Sequence, residues 1–262
     1  MSSRVSLHLA TLGPASIEQK LYAAGRAGFS AVGLTLGELE EPGERTRQEL
    51  LLSELSVMEL EAVSGWLDPG RTARSVALVQ AEAAFAAAAE IGAEVVLAWP
   101  AETPVEPLSL AGYFGDLCRA ADPFGIRIGL EFLGRSATVK DLSTAWHVVE
   151  IAEAINGGLV IDTFNFLVGG STLEMIEQIP AEKIFLVQVS DAPDLPVSEL
   201  YDHHRLYPGT GSARLESLIA AIRAKGYEGP WSLELHNEEY WEEDPIIVAA
   251  EGFRALRRLD LV

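Results

Sequence analysis

Two stretches decide how this chain folds: RIGLEF at Arg127–Phe132 and LVIDTF at Leu159–Phe164. Each is an apolar β run interrupted by one carboxylate, Glu131 in the first and Asp162 in the second. The segment Thr138–Ile155 between them reads as a helix, and a strand, helix, strand order makes parallel neighbours. The pattern continues in IFLVQVS (Ile184–Ser190) and WSLELH (Trp231–His236), where Gln188 and Glu234 are the oxygen-bearing side chains. A buried, unpaired carboxylate costs several kcal/mol at least, so three of them with an amide ask for a common partner. A divalent metal ion is the simplest one.

Toward the N-terminus, Val5–Leu9, Ala31–Leu36, Glu59–Gly65 and Glu94–Trp99 read as four earlier strands. Helices are expected over Ala15–Ala27, Glu44–Ser56, Thr72–Ile91 and Leu108–Asp122, with Gly28 and Gly92 as stops. Further helices are expected over Thr172–Gln178, Leu215–Lys225 and Pro245–Leu259. Eight strands alternating with eight helices, without a composition break, predict an α/β chain with one domain over residues 1–262, a single (β/α)8 TIM barrel. A doubly wound open sheet is the rival, but no glycine-rich phosphate fingerprint follows the first strand. Asn156-Gly157-Gly158, Gly169-Gly170 and Gly209-Thr210-Gly211 read instead as turns.

Composition narrows the partners. The 39 acidic and 19 basic residues give a net charge of −20, which repels nucleic acid and anionic membranes. The single cysteine, Cys118, forms no intrachain disulfide and suits a reducing compartment. The N-terminal run MSSRVSLHLATLG lacks a signal-peptide core, and no stretch reaches the roughly 18 apolar residues of a membrane span. The expectation is a cytoplasmic protein whose partner is a small molecule.

Side chains alternate along a strand, so Gly129, Val160, Leu186 and Ser232 lie on the faces of Glu131, Asp162, Gln188 and Glu234, one layer below. The four polar groups then sit near the C-terminal strand ends, where barrel enzymes place their chemistry. Adjacent strands about 4.8 Å apart allow all four to converge on one ion. Three carboxylates and an amide favour Mg²⁺ or Mn²⁺ over Zn²⁺. Such an ion, with open positions, chelates a hydroxy-ketone and stabilises the enediolate formed when a neighbouring C–H proton leaves. Glu131 and Glu234 flank that substrate as base and acid. His8, ending strand one, and His236, on the face of Glu234, are candidates for substrate contact or satisfied structural histidines. Trp66 and Trp99 end strands three and four as a pocket wall or as core. Lys140, His147 and the acidic run Glu238–Asp244 read as solvated or capping groups.

Five segments carry a family likeness: GLEF around Glu131, VIDTFNF around Asp162, FLVQVSDAP around Gln188, HHRLYPGTG from His203 to Gly211, and GYEGPWSLELHNEEYW around Glu234. Together they resemble the xylose-isomerase-like TIM barrels, a family of sugar phosphate isomerases and epimerases. The last three look most like its dehydratase branch, of the 3-dehydroshikimate and inosose type, where glutamine replaces a histidine ligand common in epimerases. The likeness is strong over about Gly125–Leu259 and weaker before it. It implies Glu131, Asp162, Gln188 and Glu234 as metal ligands and Arg205 as a group that binds substrate oxygens or developing negative charge. The chain departs from the family at Asn165, a candidate substrate-binding residue where the family often has a substrate or acid–base histidine, and at Thr210, where the loop reads PGTG rather than PGEG or PGQG.

The resulting expectation is a metal-dependent isomerase or epimerase acting on a small polyhydroxylated ketone or aldehyde. A lyase that eliminates from a keto-polyol shares the same first step. A non-catalytic sugar-binding barrel is the alternative from another class, motivated by Asn165. A DNA-repair nuclease is disfavoured by five histidines and the acidic charge. Barrels of this type often pair, so a homo-oligomer is compatible with the sequence.

Overall fold

Eight parallel strands close on one another in sequence order, β1 beside β2 through to β8 beside β1. They are β1 (Val5–His8), β2 (Ala31–Thr35), β3 (Ser56–Val63), β4 (Val95–Ala98), β5 (Arg127–Glu131), β6 (Gly157–Asp162), β7 (Ile184–Val189) and β8 (Trp231–Leu233). The coordinates are a computed structural model that describes residues 4–40, 43–68, 70–100 and 105–262. Helical segments follow every strand, so the architecture is the expected (β/α)8 barrel. Among the described residues no helix is long and apolar enough to cross a membrane.

Local chemistry sets the helix limits. Ser16 and Gln19 form a capping box that starts Ile17–Ala27, whose Ile17, Leu21 and Ala24 face the core. Asp141 accepts from the Thr144 amide, so the next expected helix begins at Leu142 rather than near Thr138. It ends at Ala152 because Glu153 turns left-handed, with φ 50°. The same device at Glu54, φ 59°, stops helix Gly43–Ser53. The chain therefore enters β3 at Ser56, three residues before the expected start.

Strand six is displaced as well. Asp162 accepts from the Asn165 amide at 2.6 Å and caps the short helix Thr163–Val168, so β6 ends at Asp162 instead of Phe164. Gly157 and Gly158, expected in a turn, are its first two residues. The helix expected over Thr172–Gln178 is a single turn, Leu173–Ile176.

The lower barrel interior is filled by Ala31, Met58, Val95, Leu97, Val160, Phe185 and Leu186. A larger apolar layer lies between the strands and the helices, where Cys118 is buried as a small hydrophobe. Above the apolar plug, at the C-terminal strand ends, the interior turns polar.

Candidate metal and acid–base centre

Strand register sets the height of each polar group. Glu131 pairs with Val160, Asp162 with Gln188, and Gln188 with Ser232. Going from Glu131 through Asp162 and Gln188 to Glu234 thus climbs four residues over three strand steps. A barrel of eight strands and shear eight slips about one residue per strand, so these four side chains lie near one level. All four are buried, each no more than 3% exposed.

A bulge in β3 adds two acids that the sequence reading left unassigned. Val32 pairs with Val57 but Gly33 pairs with Glu59, leaving Met58 as the extra residue. Glu59 and Glu61 then both face the interior, 0% and 6% exposed. Their signal in the sequence was the alternation of two carboxylates in ELEAV, one face of a strand. Gly33 makes room for them: a Cβ there would lie 2.5 Å from Glu59 Oε1 and 2.6 Å from His8 Cδ2.

Each carboxylate has specific partners. Trp99 Nε1 donates to Glu131 Oε2 at 3.0 Å, and Asn165 Nδ2 donates to Glu131 Oε1 at 3.1 Å. Trp99 is therefore a hydrogen-bonding part of the site, whereas Trp66 is core, buried against Phe114. Asn165 Oδ1 also accepts from the Gly134 amide, which locks the orientation of its side chain. Arg205 Nη1 lies 2.6 Å from Asp162 Oδ2 and 3.5 Å from Glu234 Oε2, with its guanidinium over the Phe164 ring. Gln188 Nε2 donates to Glu59 Oε2 at 3.1 Å, and the Ser232 hydroxyl donates to the other Glu59 oxygen. That arrangement leaves Gln188 Oε1 buried with no partner.

His8 is fully buried, with Nε2 3.4 Å from Glu61 Oε2 and Nδ1 3.6 Å from Glu234 Oε1. His236 is about one-third exposed and places Nε2 3.4 Å from the same Glu234 oxygen. A cavity of about 420 Å³ opens over these groups, lined among others by Glu61, Glu131, Glu234, Arg205 and His236. Thr210, the departure in the PGTG loop, is exposed and bonds back to the Tyr207 carbonyl, away from the cavity. Lys140 and His147 are exposed, and Asp244 caps the last helix, Pro245–Arg258.

The electrostatics divide the acids. Burial, reinforced by the charges of Glu234 and Asp162, holds the Glu131 carboxyl well above the usual range. Burial does the same to Glu61, and it pushes Glu59 up to about 8. Burial also raises Asp162, against the pull of Arg205. Glu234 goes the other way: burial opposes its charge, but His236, His8 and Arg205 outweigh it and hold it well below the usual range. Burial lowers His8, against the opposing charge of Glu234.

A divalent cation fits this donor set. Gln188 Oε1 is a buried oxygen without a hydrogen-bond partner, and among the described residues the buried acids around it, Glu59, Glu61, Glu131, Asp162 and Glu234, exceed the one buried guanidinium, that of Arg205.

Comparisons with known proteins agree on the architecture. The crystal structure of the IOLI protein with a bound zinc atom superimposes with a TM-score of 0.90, covering 98% of each chain at 22% identity. Inosose isomerase of Halalkalibacterium halodurans is 36% identical over 128 residues, 48% of this chain and 45% of that protein. 3-Dehydroshikimate dehydratase of Pseudomonas aeruginosa is 36% identical over 188 residues, 70% of this chain and 30% of that protein. The chain thus spans less than half the length of these two relatives. The family model described as xylose isomerase-like TIM barrel matches residues 21–259, nearly the whole chain, and the chain belongs to that family.

Proposed function

We propose that this protein is a divalent-metal-dependent isomerase or epimerase of a small polyhydroxylated ketone or aldehyde. The observation that carries it is the gathering of Glu131, Asp162, Gln188 and Glu234, all buried, at one level of the barrel under a cavity that Glu131 and Glu234 both line. Two carboxyl groups whose environments drive their protonation apart can act as base and acid on one substrate. Glu234, ionised, accepts the proton from the carbon next to the carbonyl. Glu131 delivers a solvent-derived proton to the other carbon or the other face, and the proton taken up by Glu234 passes to solvent before the next turnover.

The residues that would hold the ion are Glu131, Asp162, Gln188 and Glu234, a set whose oxygen donors suit Mg²⁺ or Mn²⁺. When bound, the ion supplies Lewis-acid polarisation of the substrate oxygens. Asn165 and Trp99 hold the Glu131 carboxyl in place. Arg205 keeps its charge because Asp162, Glu234 and Asp202 outweigh the burial that opposes it. It is thereby suited to steady negative charge developing on substrate oxygen. His236 lines the cavity as a hydroxyl partner, and Leu133, Phe164 and Val168 give it an apolar wall that limits water.

Elimination is the second reading. Gln188 and the 36% identity to a 3-dehydroshikimate dehydratase over 70% of this chain favour it. The two readings separate in deuterium oxide with a panel of inososes, ketoses and 3-dehydroshikimate. Isomerisation or epimerisation incorporates solvent deuterium without a new double bond. An absorbing enone or aromatic product would sink that assignment in favour of the lyase.

A further inference from the structure

We propose that His8, Glu61 and Glu234 form a second divalent-cation centre beside the first, with the Glu234 carboxylate shared between the two. The inference rests on the metal set given under the proposed function. It starts from an observation that this set does not explain. His8 is fully buried, yet neither ring nitrogen has a hydrogen-bond partner. A buried imidazole without any partner forfeits the bonds that both nitrogens make in water.

The neighbours of His8 are metal-ligand types. Glu61 lies off Nε2 and Glu234 off Nδ1, and one ligand atom from each of the three falls within 4.8 Å of the others. Strand pairing brings them together: Leu7 pairs with Leu233, which sets His8 beside Glu234, and the β3 bulge turns Glu61 to the same interior. The two Glu234 oxygens face different partners. Oε2 is turned to Arg205, which also bonds Asp162, whereas Oε1 is turned to His8 and His236. A carboxylate so placed can give one oxygen to each of two centres.

Charge balance points the same way. Glu59, Glu61, Glu131, Asp162 and Glu234 all face this interior, and among the described residues Arg205 is the fixed cation that contacts them. Burial opposes the ionisation of most of these acids, and two divalent ions with Arg205 would together balance all five in their ionised forms. The donors also differ between the centres. The first set is all oxygen, while His8 brings nitrogen to the second, which favours Zn²⁺ or another nitrogen-binding transition ion there.

The test is metal stoichiometry on the full chain stripped with chelator and reloaded with Zn²⁺ or Mn²⁺. Bound ions are counted by elemental analysis after gel filtration and by calorimetric titration, with circular dichroism checking each variant's fold. Wild type is expected to bind two ions per chain, and His8→Asn and Glu61→Gln one each. Asp162→Asn should also bind one, and Co²⁺ in that variant should keep a visible band that His8→Asn lacks. Glu61→Gln keeps the test alive if His8→Asn does not fold. A wild-type count of one, or a count of two that survives both His8→Asn and Glu61→Gln, overturns the second centre. If the one remaining ion is lost in Asp162→Asn, the function proposed above still stands. A count of zero removes both.

Discussion

At Glu131 and Glu234 the same residue type meets opposite fates within one cavity. Burial acts on both, but Glu234 has His236, His8 and Arg205 around it, while Glu131 faces the negative charges of Glu234 and Asp162. Glu234→Gln removes the proposed base and keeps the shape, and turnover is expected to fall by about 10²–10⁴-fold with the fold intact by circular dichroism. Asn165 acts on Glu131 from a distance of one hydrogen bond. Asn165→Ala is expected to lower kcat by roughly tenfold while leaving KM nearly unchanged, because the loss is in orientation. A fall confined to KM would instead make Asn165 a substrate contact. Gly33 shows how closely the site is packed. The methyl group of Gly33→Ala would overlap both Glu59 and His8, and about 1–3 kcal/mol of stability should be lost in chemical denaturation.

The loop after β7 shows an element built around one buried acid. Asp191 accepts from the amides of Ala192, Gly209, Gly211 and Ala213, and this fastens the PGTG turn against the barrel. Gly211 must stay bare, since a Cβ there would meet the Ala192 carbonyl oxygen at 2.2 Å. Arg205, at the head of the same loop, reaches the site because the isolated antiparallel bridge between Asp191 and Leu206 holds it there. Asp191→Ala leaves four amides without their acceptor. The expected result is a loss of about 3–5 kcal/mol or selective loosening of residues 202–213 in hydrogen exchange, with weaker substrate binding. The sequence made the strands after Gly125 legible because each carries one polar residue in an apolar run. The early half was less legible for physical reasons. Helix Gly43–Ser53 ends on a left-handed glutamate rather than a glycine, so nothing in composition marked where β3 begins. The bulge that turns Glu59 and Glu61 inward depends on pairing with β2, a tertiary fact that local alternation cannot express. Asn165 read as a lost histidine, and only the three-dimensional structure gives it a hydrogen bond to Glu131.

Over the whole molecule, a barrel that gathers this many acids is held under an electrostatic load that pH controls. Glu59 gives the cleanest case, with its carboxyl pushed up to about 8 by burial and then by Glu234. Its folded value lies above the ordinary carboxylate value of about 4.3 that the unfolded chain keeps. The protonated form is therefore the one that folding favours. Its contribution is fully present below about pH 4.3 and is lost progressively as pH rises to about 8. The span corresponds to an upper bound of ~5 kcal/mol for this residue in metal-free protein. Glu61, Glu131 and Asp162 are raised as well and act with the same sign. Glu234 is lowered, so its contribution is lost only in acid below the ordinary carboxylate range and stays constant between pH 5 and 8. Metal-free wild type should thus lose unfolding free energy from pH 5 to pH 8. Glu59→Gln, which keeps an acceptor for Gln188 but cannot ionise, should lose less, so the gap between the two proteins widens by a few kcal/mol toward pH 8. Denaturant titrations of both chelator-stripped proteins at several pH values measure this gap. A gap that stays flat would mean that Glu59 is already ionised in the folded protein at pH 5. Adding Mn²⁺ should close most of the gap, because a cation in the same interior lowers the cost of ionising the acid beside it.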